Sequence, residues 1–177
     1  MKKIFDRSGK LLMKYVIREI EKRDDKAVEK IIRDCLIEFG GDHEGTAWSD
    51  PDLGRFSYLY NSEGNRYWVA TDENDVVVAG VGIGKLPGLE KVCELQKMYS
   101  IPKVRGTGIS HQLIETALDY AAKYYERCYL ETLPNMVAAQ KFYEKYGFVR
   151  IDEPLIRTEH FDCDVRYIKD LDSDKDI

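Results

Sequence analysis

The chain has 177 residues, a length that predicts one domain with a core large enough to need neither disulfides nor a structural metal. Its 44% hydrophobic and 33% charged residues are typical of a soluble globular protein and exclude a disordered one. The 27 Lys and Arg against 32 Asp and Glu argue against nucleic acid as the main partner. Because the sequence contains neither a membrane-spanning apolar run nor the apolar core of a signal peptide, we expect a cytoplasmic protein without a membrane partner.

Hydrophobic periodicity predicts an alternation of strands and helices after residues 1–12, which show no clear period and are interpreted as an N-terminal extension or a cloning remnant. Asp24 and Asp25 offer a cap for the first helix, and Gly40 and Gly41 end it. In chain order, the predicted elements are a strand from Met13, a helix from Asp25 to Phe39, a short helix near Phe56–Tyr60, strands at 66–71, 76–85 and 92–100, a helix at 110–125, a strand at 128–132, a helix around 138–146, and strands near 148–151 and 163–171.

This order of elements predicts an α/β domain over residues 13–171, with a mixed sheet and helices on both of its faces. Residues 172–177 are interpreted as an acidic, solvated tail. The four cysteines have no CxxC pair and no neighbouring histidine at ligand spacing, so neither a zinc site nor a disulfide framework is predicted. Cys35, Cys93 and Cys128 lie in apolar patterns and are predicted to be buried thiols rather than acyl-accepting nucleophiles.

The stretch CELQKMYSIPKVRGTGISHQLIETAL contains the clearest candidate for a ligand-binding motif. A strand runs into a short loop with Gly106 and Gly108, and a helix begins almost at once. Glycines let the backbone approach a ligand closely, and a helix N-terminus adds unpaired N–H donors and partial positive charge. The loop therefore predicts an anion cradle suited to a pyrophosphate, with Lys103 and Arg105 as candidate phosphate contacts; a plain structural turn is the alternative.

A second glycine run, VGIGK at 81–85, lacks the spacing of a Walker loop or a dinucleotide fingerprint. Because it lies inside a strand pattern, we interpret its glycines as leaving room for neighbouring backbone or for a substrate.

The run from Lys103 to Gly108, KVRGTG, resembles the Q/R-x-x-G-x-G/A signature of the GNAT N-acetyltransferase superfamily, and the preceding MYSIP resembles its splayed strand that ends in Pro. LETLPNMVAAQKFYEKYGF resembles the family's second motif, which closes in Y-E-x-x-G-F. The similarity runs from Tyr15 to Leu171. The chain departs from the family in having Lys103 for Gln or Arg, and Met136 where many members have a cofactor-contacting Asn, with Asn135 one place earlier.

The resemblance implies a mostly antiparallel, twisted sheet of about seven strands, splayed at the cofactor site and flanked by about four helices. It also implies acetyl-CoA as co-substrate, an amine acceptor, and direct transfer in a ternary complex without an acyl-enzyme. No metal is implied. The residues implied to contact acetyl-CoA are Met98, Tyr99, Ser100, Lys103, Val104, Arg105, Gly106, Thr107, Gly108, Ile109, Ser110 and Asn135.

Acetyl transfer to an amine requires a neutral amine and a proton for the departing thiolate. An alkyl amine with a pKa of about 10.4 is almost fully protonated at pH 7, so a carboxylate, often through water, must remove its proton. Glu94 and Glu131, on neighbouring strands, are the candidate bases, and a structural role is the alternative for each. The resemblance places Tyr143 where the family has the proton donor to the thiolate, whereas its apolar helix face also fits a core tyrosine.

The loop Gly41–Gly54 corresponds to the region that overhangs the acceptor site in the GNAT fold. An acidic, aromatic rim there favours a cationic amine, and a solvated loop is the alternative. The leading hypothesis is an N-acetyltransferase of a small-molecule amine or amino acid, acting as a monomer or homodimer. The alternatives are a protein N-terminal or lysine acetyltransferase and a non-catalytic acyl-CoA sensor. The residues that form the predicted rim are Asp42, His43, Glu44, Trp48, Asp50 and Asp52.

Overall fold

A computed structural model of the chain describes residues 4–5, 11–12, 15–156 and 162–171, so the predicted acidic tail at 172–177 lies outside the described residues. Within this part of the chain no helix is both long and apolar enough to cross a membrane. The strands are β1 (Ile4–Phe5), β2 (Leu11–Leu12), β3 (Val16–Glu19), β4 (Arg66–Thr71), β5 (Val77–Leu86), β6 (Leu89–Ser100), β7 (Arg127–Thr132), β8 (Val149–Ile151) and β9 (Val165–Asp170). The α-helices are α1 (Asp25–Glu38), α2 (Phe56–Leu59), α3 (Ile109–Ala121) and α4 (Val137–Lys145).

Seven strands form one sheet in the order β3-β4-β5-β6-β7-β9-β8. All neighbouring pairs are antiparallel except β6 and β7, which are parallel. The predicted mixed, mostly antiparallel sheet is therefore confirmed. β1 and β2 form a separate antiparallel pair that the sequence did not predict, since strands of two residues are too short to show a period.

Helices cover both faces of this sheet, because alternate residues of a strand point to opposite sides. In β4, Trp68 and Ala70 face a core that α3 completes, whereas Tyr67 and Val69 face a core completed by α1 and α2. The two helices nearest the parallel strands, α3 and α4, thus pack on one face. α1 closes the other face.

At α1 the prediction is wrong for the N-terminal cap and right for the C-terminal end. The prediction that Asp24 or Asp25 caps the helix is wrong: Asp24 accepts hydrogen bonds from Arg18 at 2.7 and 3.0 Å, and Asp25 accepts two from Ser57 at 2.6 and 2.9 Å. Both carboxylates join α1 to neighbouring elements instead of satisfying its own amides. Gly40, with a φ of +69°, ends the helix as predicted.

The parallel strands separate in the middle of the sheet. Val92–Glu94 of β6 pairs with Arg127–Tyr129 of β7. Beyond these residues the two strands are no longer hydrogen-bonded to each other. β6 also carries a bulge at this point, where Lys97 has a φ of +51°. The splay that the resemblance implies is confirmed, and it opens a gap between the two strands.

Candidate active site

One side of the gap opens into a cavity of about 440 Å³, which we call the large cavity. The end of β6, the glycine loop, the start of α3 and the apolar face of α4 form its walls, and Cys35 and Phe39 of α1 close it. The predicted site residues that line it are Met98, Tyr99, Ser100, Arg105, Gly106, Ser110, Asn135 and Tyr143.

The other predicted cofactor contacts lie beside the large cavity. Val104 and Ile109 are buried in the core, so only their backbone atoms are available to a ligand. Lys103 and Thr107 are exposed on the glycine loop, and Gly108 forms the N-cap of α3. The predicted segment thus forms the end of β6, the glycine loop and the start of α3, at the edge of the large cavity.

The glycine loop has the geometry of an anion cradle. Gly106 and Gly108 have φ values of +76° and +90°, and a side chain added at either position meets nothing within 4 Å. Among the described residues, the backbone N–H groups of Gly106, Gly108, Ile109 and Ser110 have no backbone or side-chain acceptor. Four open donors at a helix N-terminus favour a bound phosphate or pyrophosphate.

Replacing Gly108 by Val is expected to weaken CoA binding at least about tenfold, since the β-branched side chain resists the positive φ that turns the N–H donors outward. Gly88→Val is the matched control. Gly88 has a φ of +79°, equally open surroundings and a place in the turn between β5 and β6. Calorimetric titration with CoA measures the affinity of each variant. Melting curves are expected to show a similar loss of about 1–3 kcal/mol in the stability of both variants, because each places a Val at a positive φ. Equal CoA affinity in the two variants would favour the plain structural turn.

Arg105 is held by α1. Its guanidinium forms two hydrogen bonds of 2.6 and 2.7 Å to the carboxylate of Glu38, and a longer one of 3.4 Å to the carbonyl of Ser100. The guanidinium that is predicted to contact a phosphate is thus already paired with a carboxylate. Its observed contacts fix the glycine loop to the end of α1.

Asn135 also lines the large cavity while binding α1, because its Nδ2 donates to the carbonyl of Phe39 at 2.7 Å. The next residue, Met136, lies deeper, in the wall between the two strands. Of the apolar face of α4, sequence reasoning named only Tyr143 as a site residue, with a core tyrosine as the alternative, and it missed that Val137, Ala138, Ala139 and Phe142 line the cavity. The signal was the pair of small residues, Ala138 and Ala139, on that face.

On the other side of the gap lies a smaller cavity of about 80 Å³, which we call the small cavity. Glu94 and Glu131, the two candidate bases, both line it, together with Thr46 and Cys163. The residues that line both cavities are Met98, Tyr99, Met136, Ala139 and Tyr143. The two cavities therefore meet at the splay.

Tyr143 lies at this junction and is 8% exposed. Burial raises the pKa of its hydroxyl above the ordinary value, so the phenol is protonated at neutral pH. Its ring packs against Phe142, Phe148 and Tyr167. Among the described residues no hydrogen-bond partner of its hydroxyl is found, which leaves the proton available to a ligand at the junction.

The two glutamates have different surroundings. Glu94 is half-buried and accepts a hydrogen bond of 2.6 Å from the side-chain amide of Gln96. The side chain of Glu131 is 4% exposed, accepts a hydrogen bond of 2.6 Å from the hydroxyl of Tyr129, and lies 3.9 Å from the guanidinium of Arg166. Glu131 is thus held between Tyr129 and Arg166, whereas Glu94 is held by the amide of Gln96 on its own strand.

The loop at 41–54 contributes less to the site than the sequence predicts. Trp48 is absent from the walls of both cavities and packs against the guanidinium of Arg33, 4.9 Å from its ring centre. Asp50 does not line the small cavity itself but forms an ion pair of 2.6 Å with Lys97, which does. The ring of Trp48 thus makes a cation–π contact with α1 and lines neither cavity, and the acidic, aromatic rim stays a prediction.

Residues 26–148 match the model of the acetyltransferase (GNAT) family. The chain belongs to this GNAT family. It is 38% identical over 159 residues to a protein of Escherichia coli K12 described as the uncharacterized N-acetyltransferase YjgM, covering 88% of this chain and 95% of that protein.

Solved GNAT structures have the same fold. A GNAT-family acetyltransferase from Staphylococcus aureus superposes with a TM-score of 0.77 at 22% identity, covering 90% of this chain and all of that one (100%). The PaiA N-acetyltransferase of Thermoplasma acidophilum, solved in complex with coenzyme A, gives 0.71 at 16% identity and covers 89% of this chain and 99% of that one. This GNAT protein is an N-acetyltransferase that uses acetyl-CoA.

The residues present fit acetyl-CoA. The open N–H groups of the glycine loop suit its pyrophosphate, and the large cavity, walled by the end of β6 and by α4, suits its pantetheine arm. When bound, acetyl-CoA supplies the thioester from which the acetyl group is transferred.

Proposed function

We propose that this GNAT member acetylates the primary amine of a small molecule or amino acid by direct attack in a ternary complex. The observation that carries the proposal is the meeting of the large and small cavities at Tyr143. A cofactor reaching the junction from one side and an amine reaching it from the other come into contact there without a covalent enzyme intermediate. Residues 13–171 are proposed to form the single catalytic domain.

In this proposal each wall of the gap has one task. The N–H groups from Gly106 to Ser110 bind the pyrophosphate, and the backbone of Met98 and Ser100 pairs with the pantetheine arm as another strand does. The Tyr143 hydroxyl donates its proton to the departing thiolate. The charged residues of the small cavity hold the amine.

Glu94 is proposed as the general base. Glu94 lines the small cavity, where a water can carry the proton from the ammonium group to its carboxylate. Glu131 is enclosed by Tyr129 and Arg166, which supports a structural role. Together the two carboxylates favour a cationic amine over a neutral or anionic acceptor.

The size of the small cavity supports a small acceptor. Its 80 Å³ corresponds to about two or three water molecules, enough for the amine end of a substrate. Leu36, Thr46 and Leu133 enclose it, and an extended peptide needs an open groove. A free amine on a narrow stem fits these walls better than a protein chain does.

A thiol-release screen with acetyl-CoA and a panel of polyamines, amino acids, aminoglycosides and lysine peptides tests the proposal. We expect turnover with small amines and none with peptides. Turnover restricted to peptides would favour the protein acetyltransferase. CoA binding without thiol release on any amine would favour the acyl-CoA sensor.

Saturating CoA is expected to raise the melting temperature by about 5–10 °C. At about 100 times its dissociation constant a ligand stabilises the folded state by about 2.7 kcal/mol. In a domain of this size each kcal/mol corresponds to about 2–4 °C. Differential scanning fluorimetry measures the shift, and adenosine serves as the control because it lacks the pyrophosphate and the pantetheine arm. No shift together with no calorimetric heat would contradict cofactor binding.

A further inference from the structure

A chain of hydrogen bonds runs from Tyr60, the residue after α2, to Gln96 and Glu94 of β6, which line the small cavity. The hydroxyl of Tyr60 donates to Oε1 of Gln96 at 2.7 Å, and Nε2 of Gln96 donates to Oε2 of Glu94 at 2.6 Å. We propose that Gln96, its amide oriented by Tyr60, is a positioning residue that holds the carboxylate of Glu94 for proton transfer. This inference rests on the function proposed above.

The chemistry of the three groups fixes the direction of both hydrogen bonds. An ionised carboxylate has no proton to donate, so Glu94 must accept from the amide nitrogen of Gln96. The amide oxygen then faces Tyr60, whose hydroxyl donates to it. Burial raises the pKa of Tyr60 well above its ordinary value, so this donor keeps its proton over the whole working range of pH. A reversed amide would set two acceptors against each other at Glu94.

The sheet leaves space for this arrangement through glycines on β5. A side chain at Gly84 would collide with the side-chain amide of Gln96, and one at Gly82 would come within 2.8 Å of the ring of Tyr67 and 2.9 Å of the ring of Tyr60. The sequence interprets this glycine run as leaving room for backbone or substrate, whereas in the structure it leaves room for side chains. Gly84 accommodates Gln96, and Gly82 accommodates Tyr60 together with Tyr67.

Aromatic packing holds the first member of the chain in place. Tyr60 is 8% exposed, and its ring lies 5.2 Å from that of Phe56 and 5.3 Å from that of Tyr67. The ring cannot turn without disturbing this cluster, so the position of its hydroxyl is fixed. A fixed donor selects one orientation of the Gln96 amide.

Other ionisable groups surround Glu94, and a substitution of Gln96 leaves all of them in the chain. Among the described residues they come from β6, β7, α4, the residue after α2, the loop at 41–54 and the segment before β9. These groups are Lys97, Cys128, Tyr129, Glu131, Tyr143, Tyr60, Asp50 and Cys163. A change that follows from substituting Gln96 alone therefore reports the lost amide.

The test is the titration of the Glu94 carboxyl by carbon NMR of the full chain with labelled glutamate, with the Glu94 signal identified by its loss in Glu94→Gln. Losing a donor to a carboxylate disfavours its charged form, so Gln96→Leu is expected to move the midpoint of this titration up by about one pH unit. Tyr60→Phe is expected to give a smaller upward shift. Gly84→Ala displaces the amide without removing it and is expected to act in the same direction.

Tyr125→Phe is the matched control, because it removes a buried hydroxyl that donates to the carbonyl of Gly64 and lines neither cavity. It is expected to leave the Glu94 midpoint unchanged. An unchanged midpoint in folded Gln96→Leu and Gly84→Ala would overturn the inference. If Gln96→Leu does not fold, Gly84→Ala decides alone, since the side chain it meets is flexible at its far end.

Kinetics with the best small amine of the screen separate the inference from the proposed function. Gln96→Leu is expected to lower kcat about tenfold with an unchanged KM for acetyl-CoA, because Gln96 is absent from the walls of the large cavity. A shifted Glu94 midpoint without turnover on any amine would refute the proposed function and leave the positioning contact standing. Normal turnover with an unshifted midpoint would refute the contact alone.

Discussion

The Tyr143→Phe variant is expected to lower kcat by about 10²–10⁴-fold, the usual contribution of a positioned proton donor. Phe keeps the ring and its packing against Phe148 and Tyr167 but removes the hydroxyl at the junction of the two cavities. The KM for acetyl-CoA is expected to change little, because ground-state binding depends on the backbone donors of the glycine loop. Steady-state kinetics on the wild type and the Tyr143→Phe variant measure kcat and the KM for acetyl-CoA separately.

Tyr167→Phe is the control for this variant. Tyr167 is also a buried tyrosine, and its hydroxyl donates to Glu144 at 2.8 Å without lining either cavity. The control is expected to lose about 1 kcal/mol of stability and to keep its kcat. Equal kcat values in the two Phe variants would remove Tyr143 from the mechanism and make a bound water the acid.

The pH dependence gives a second check on Tyr143. Because burial raises the pKa of its hydroxyl, the protonated, donating form persists through neutral and mildly alkaline pH. Activity that needs this proton is lost only when the pH rises past the raised pKa. The wild-type rate is therefore expected not to fall between about pH 7 and 9 on account of this residue.

The strand and helix order could be predicted because its signals are local. In β4 to β6 the apolar runs are bounded by turn residues, and in α1 and α4 the 3.6-residue period is unbroken. The glycines at 106 and 108 were equally readable, since a positive φ at a helix start requires them. These features depend on a few consecutive residues.

Features set by contacts distant in sequence could not be predicted. Asp25 accepts from Ser57, 32 positions later, instead of capping α1. Arg105 binds Glu38, 67 positions earlier, and Trp48 packs on Arg33 of α1. The residues next to Arg105 and Trp48 in the sequence give no sign of these contacts, because each partner lies in a different element.

The end of α3 shows the same limit for a helix. The apolar spacing predicts a helix to residue 125 with Tyr124 on its buried side, but α3 ends at Ala121 and Tyr124 is 43% exposed. Tyr125 is the buried residue at this end, and its hydroxyl donates to the carbonyl of Gly64. This contact joins residues 61 positions apart, so the apolar spacing of the helix does not indicate it.

The Glu94→Gln variant is expected to lower kcat by at least about 10²-fold at pH 7, because the ammonium of the acceptor then loses its proton only to bulk water. The deficit is expected to shrink by up to tenfold for each pH unit toward the amine pKa of about 10.4, since the neutral amine becomes more abundant. Rate–pH profiles of wild type and variant between pH 6 and 10 measure this.

Glu131→Gln is the matched comparison, with the same change on the neighbouring strand. It takes the carboxylate from Arg166, whose Nε is buried without a hydrogen bond among the described residues, and weakens the bond to Tyr129. We expect a loss of about 1–3 kcal/mol in stability and a smaller fall in kcat that does not recover at high pH. If the pH-dependent recovery appears in Glu131→Gln and not in Glu94→Gln, the two glutamates exchange roles: Glu131 is then the base, and Glu94 holds the wall of the small cavity.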